Sequence, residues 1–109
     1  MAFDEGLAQR IRDILQDEEG IAEKKMFGGL SFLKHGNMSV GIVKDDLCVR
    51  CGDQNYQEYL AAPEARVMDF TKRPMKGWLF VDGGALADDA CLNTWVERGL
   101  AHAKSLPPK

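Results

Sequence analysis

Histidine and cysteine are both scarce in this sequence, two and three residues in 109, and that scarcity bounds the chemistry on offer. An odd number of thiols cannot all pair within one chain, which fits a reducing compartment, so Cys48, Cys51 and Cys91 are expected to be free. A structural zinc takes about four ligands, usually with a second close-spaced pair. Cys48, Cys51, Cys91, His35 and His102 do not supply one, so no metal and no cofactor are expected. Nor does any apolar segment approach the roughly 20 residues that cross a bilayer. The first residues, Met1-Ala2-Phe3-Asp4-Glu5-Gly6, carry acid where a secretory signal carries positive charge. The expected location is therefore the cytoplasm, with no membrane partner.

A large excess of one charge sign is also missing. The net charge of −3 is spread unevenly: residues 1–20 hold two basic and six acidic side chains, residues 21–76 nine and seven, and residues 77–109 three and four. A faintly basic middle between acidic ends is far from the signature of a dedicated nucleic-acid binder. What is present is ordinary globular material, 45% hydrophobic and 28% charged. It suits one domain over 1–109, with residues 105–109 expected as a flexible tail. Folding a chain of this size buries roughly two thirds of its surface, enough to dispense with metals or disulfides.

From Phe3 to Asp17, Phe3, Leu7, Ile11, Ile14 and Leu15 fall at helical spacing, with Gly20 as a stop. Ile21 to Met26 and Gly29 to His35 read as strands, the second followed by Gly36-Asn37 as a type II′ hairpin turn. Met38, Val40 and Ile42 then alternate with Ser39, Gly41 and Val43. After a turn at Asp45-Asp46, Leu47, Val49 and Cys51 alternate with Cys48 and Arg50. Gly52-Asp53 suits the start of a short helix burying Tyr56, Tyr59 and Leu60, which ends before Pro63. Residues 65–70 and 77–82 read as two more strands around an exposed loop, Thr71-Lys72-Arg73-Pro74-Met75-Lys76. A last helix places Leu92, Trp95, Val96, Gly99, Leu100 and Ala103 on one stripe behind Asp88-Asp89. The order α-β(3-4)-α-β(2)-α predicts an α+β fold, an antiparallel sheet with flanking helices.

Lys24-Lys25-Met26-Phe27-Gly28-Gly29 is the most distinctive run. Phosphate-binding glycines lie between a strand and a helix, whereas this pair enters a strand, so it reads as a backbone corner rather than a cradle. Together with Gly36-Asn37-Met38, Arg73-Pro74-Met75, Gly77-Trp78-Leu79-Phe80-Val81 and Trp95-Val96 in the last helix, Met26-Phe27-Gly28-Gly29 gives the chain its likeness to a family. It resembles the TfoX N-terminal domain along nearly its whole length. The resemblance implies a secretion-chaperone-like α+β fold in a bacterial protein. It also implies a link to regulators of competence for DNA uptake, reported as coactivators with the cyclic-AMP receptor protein. The named regulators carry a second, C-terminal domain, so the expectation here is the N-terminal domain standing alone. The family supplies no catalytic residues to carry over.

Cys48-Val49-Arg50-Cys51 is formally a CxxC motif. On a strand, though, positions three apart point to opposite faces, so the pair is read as structural rather than redox-active. His35 fits a solvated turn and His102 a helix end. Trp78 and Phe80 suit a sheet core better than a base-stacking platform, because their strand has no interleaved arginine or lysine. The leading functional reading is a non-enzymatic regulatory or protein-interaction module with a protein partner. Its candidate surface comprises Lys24, Lys25, Phe27, Lys72, Arg73 and Lys76, with no catalytic, cofactor or metal residues. The alternatives are direct nucleic-acid binding through the basic middle segment and a small enzyme using Cys51 or His35. A homodimer is an open arrangement, given that secretion-chaperone-like relatives can pair.

Overall fold

Strand alternation sorts apolar side chains onto one face of a sheet. The computed structural model of the chain, which describes residues 5–26, 29–43, 46–67 and 77–107, shows what that face meets. The element order is α1 (Glu5–Leu15), β1 (Ile21–Met26), β2 (Gly29–Lys34), β3 (Asn37–Val43), β4 (Asp46–Arg50), α2 (Asp53–Leu60), β5 (Ala65–Val67), β6 (Trp78–Val81), a 3-10 turn (Ala85–Ala87) and α3 (Asp89–Lys104). The six strands form one sheet in the order β1-β2-β3-β4-β6-β5, with every neighbouring pair antiparallel. This is the expected α+β architecture, with four strands in the first run. The expected helix start at Phe3, Phe27 and Gly28, Asp45 of the β3–β4 turn, residues 68–70 and the loop 71–76 lie outside the described residues.

Directly paired residues share a face. One core row therefore runs Phe32, Val40, Val49, Leu79 across β2, β3, β4 and β6, and a second runs Leu30, Ile42, Leu47, Val81. Both rows are buried beneath Leu7, Ala8, Ile11 and Leu15 of α1, Tyr56 of α2, Leu86 of the 3-10 turn, and Leu92, Trp95, Val96 and Leu100 of α3. The stripe on α3 is buried in full, Gly99 and Ala103 included, and Asp88 caps its start by accepting from the Ala90 amide at 3.0 Å.

Close approach fixes two glycines. A Cβ on Gly29 would run into the Ile42 carbonyl oxygen, which explains the glycine where β2 meets β3. A Cβ on Gly99 would lie 2.7 Å from Val40 Cγ1 and nearer still to the Ser39 carbonyl oxygen, so α3 rests directly on β3 there.

Three local expectations are corrected. The β2–β3 hairpin pairs Lys34 with Asn37, so its two-residue turn is His35-Gly36, one residue earlier than expected. Both turn residues have positive φ, 50° and 84°, the pattern of a type I′ rather than a type II′ turn. Next, the register shifts between Phe32 and Leu33, whose partners are Val40 and Met38, leaving Ser39 as an extra residue on β3. Ser39 Oγ donates to the Phe32 carbonyl at 3.0 Å. The bulge turns Met38 away from Val40 and Ile42 to the opposite face, where it packs with Cys48 and Phe80. Finally, α1 ends at Leu15, and Gly20 instead sits at the entrance to β1, with φ of 73°.

Candidate functional site

Consecutive strand residues point to opposite faces, and this divides the sequence-named candidates that the structure describes. Lys24 pairs with Ser31 and Lys25 with Leu30, so Lys25 shares the helix-covered face and Lys24 the other. Both are exposed, on the edge strand of the sheet. Phe27, Lys72, Arg73 and Lys76 lie outside the described residues. His35 is exposed in its turn, its amide bonded to the Gly20 carbonyl at 2.9 Å.

The cysteines are separated as their spacing requires. Cys51 belongs to the main core and Cys48 to the opposite cluster, and none of the three cysteines is joined in a disulfide. Burial pushes the Cys48 thiol up to about 12, so it stays protonated at neutral pH. Cys91 is also raised, by burial first and then by the neighbouring Glu64 carboxylate. Neither site offers the electropositive setting that activates a thiolate. Cys51 is buried, and its Sγ donates to the Gly77 carbonyl at 3.4 Å.

The face opposite the core rows carries arginine beside aromatic rings, drawn from different strands. Arg50 on β4 lies 5.5 Å from the centre of the Trp78 ring, its register partner on β6. Arg66 on β5 lies 5.4 Å from the Phe80 ring, likewise its partner. The interleaving missing within the strand Trp78–Val81 is thus supplied by its two neighbours. Arg66 also pairs with Asp46 at 2.5 Å.

A cleft of about 260 Å³ opens between α2 and the last turns of α3, lined by Cys51, Gly52, Asn55, Tyr59, Arg98, Ala101, His102 and Ser105. The Arg98 guanidinium lies 4.4 Å from the Tyr59 ring centre and 4.6 Å from that of Trp95. The two rings meet edge to face at 6.0 Å. Trp95 is itself anchored, its Nε1 donating to Glu64 Oε2 at 2.9 Å. That bond is the main reason the Glu64 carboxyl sits below the usual carboxylate range, with further help from its own backbone, Cys91 and the charge of Arg98. His102 is half-buried against Gly52, where an added Cβ would meet its ring at 2.7 Å.

Sequence reasoning missed Arg98, Tyr59 and Asn55 as a group. The one available signal was helical spacing, because Arg98 follows Trp95 by three residues and so is its neighbour on the α3 surface. The cleft does bring a cysteine and a histidine to one place, but the histidine is His102 rather than His35. Among the described residues, no group of three or more His, Cys, Asp or Glu is placed to hold a metal ion, and no helix is long and apolar enough to cross a membrane.

The family model described as the TfoX N-terminal domain matches residues 13–103, from within α1 to near the end of α3. No curated protein and no solved structure matches the chain.

Proposed function

The chain belongs to the TfoX N-terminal domain family, and from that premise we propose that it is a non-enzymatic regulatory domain of a bacterial cytoplasm that acts by contact with a protein partner. The observation that carries this reading is the span of the family match, which takes in all six strands and nearly all of α3. The protonated state of Cys48 and Cys91 agrees with it, since neither thiol is set up as a nucleophile. The exposed Lys24 and Lys25 remain the described part of the proposed contact surface, which extends in sequence to Phe27, Lys72, Arg73 and Lys76. Competence for DNA uptake is the regulatory process that the family resemblance favours.

A second reading has a specific observation behind it. The pairs Arg50 with Trp78 and Arg66 with Phe80 place cation and ring together on one sheet face, as single-stranded nucleic-acid surfaces do. One experiment separates the two. Affinity capture of the full chain from extract of its source cells, with and without nuclease, should recover the same protein partner in both samples. Reversing Lys24 and Lys25 to glutamate should weaken that recovery. Co-purified nucleic acid that is lost to nuclease and to raised salt, with no protein retained, favours the second reading and contradicts the first.

A further inference from the structure

Among its described residues, the cleft between α2 and α3 holds a cation, Arg98, and no carboxylate. Arg10, Arg12 and Arg66 each meet a carboxylate, those of Asp89, Glu23 and Asp46. Arg98 makes no hydrogen bond or ion pair with a described residue; its guanidinium lies instead over the faces of Tyr59 and Trp95. Glu64, the carboxylate near enough for its own ionisation to feel Arg98, already accepts from Trp95 Nε1 at 2.9 Å and from Cys91 Sγ at 3.7 Å.

Two aromatic faces hold the guanidinium in place while leaving its five N–H donors to be satisfied elsewhere. A planar fork fixed in this way suits bidentate recognition of a carboxylate or phosphate, and little rotamer freedom remains to be lost on binding. None of the described residues lining the cleft is acidic. Asn55 adds an amide, His102 an imidazole, and Tyr59 and Ala101 apolar surface, so the wall pairs an anion-seeking group with a surface for an organic body. The volume of about 260 Å³ falls just below the roughly 300–1,000 Å³ typical of small-molecule sites. That size suits a metabolite rather than a macromolecular segment.

We propose that this cleft binds a small organic oxyanion, a phosphate monoester or a carboxylate, with Arg98 as the clamp on its charged group. Binding there would give the domain a ligand input separate from the partner surface on the sheet, whatever that partner is.

The test is an NMR titration of the isotopically labelled full chain at pH 7 and constant ionic strength. Inorganic phosphate and acetate serve as separate probes, with chloride as the reference. Saturable shifts are expected at the amides of Gly52 and Asn55 and at the Arg98 Nε–H. Tighter binding of phosphate would assign the phosphate-ester class, and tighter binding of acetate the carboxylate class. Arg98→Gln should weaken the preferred probe by about tenfold or more, the scale of one lost charge-assisted contact. Asn55→Asp, at an exposed position that leaves the core untouched, should also weaken it by placing a like charge in the cleft. It keeps the test valid if the arginine variant folds poorly. Linear, unsaturated shifts matching those of chloride, or an affinity that neither variant changes, would overturn the proposal.

Discussion

Arg98 and Glu64 illustrate how single residues here depend on their neighbours. Arg98 takes its position from two rings, and one of those rings, Trp95, takes its own from the Glu64 carboxylate. The Trp95 N–H lowers the folded-state pKa of Glu64 below its unfolded value. The charged carboxylate therefore stabilises the fold at pH values above the ordinary glutamate value of about 4.3, and that contribution is lost as pH falls through the lower folded value. Glu64 is only half-buried, so solvent screening holds the effect to the order of 1 kcal/mol. Thermal unfolding of the wild type and Glu64→Gln between pH 7 and pH 3 should show the wild type more stable at neutral pH. The difference should shrink on acidification, because the neutral amide has no proton to gain. A gap that stays constant across the range would contradict this account. None of this was legible from Glu64 alone, which stands 31 residues from Trp95 in a stretch without a motif.

Among the elements, α3 was the most legible and the β2–β3 hairpin the least. The α3 stripe runs from Leu92 to Ala103, about three turns, and a repeat that long leaves one geometry in which all its apolar residues are buried together. The hairpin turns on a single residue. Counting alternation from Val40 back to Met38 gives the same face, but Ser39 is a bulge and reverses it, and nothing in Asn37-Met38-Ser39-Val40 announces an extra residue. The turn slips by one for a related reason, because His35 takes a positive φ that sequence reasoning reserves for glycine. The placement of α3 on β3 has its own test in Gly99→Ala. In an isolated helix this change is worth about 1 kcal/mol in favour of alanine. Here the new methyl group would meet the Ser39 backbone and Val40, so overpacking should prevail, with a net loss of about 1–3 kcal/mol in chemical denaturation. Unchanged or increased stability would show that α3 has room to move away from the sheet.

At the scale of the whole molecule, the described helices pack on one face of the sheet, and the other face gathers Met38, Cys48, Phe80 and the stacked arginines. Alternation predicts this two-sidedness, which is why the spacing alone assigns Cys48 and Cys51 to opposite faces. The cleft could not be found that way. It joins residues at the start of α2 to residues more than forty positions later, and only the packing of α3 across the sheet brings them together. Fold and family thus follow from local patterns, while the candidate ligand site follows from tertiary packing. The central functional claim is that this domain regulates, and the transcript profile of source cells with the gene deleted, and then restored in trans, tests it most directly. The account predicts that a defined set of transcripts changes on deletion and returns on restoration. A profile that is the same in all three strains, under conditions where the protein is made, would contradict it.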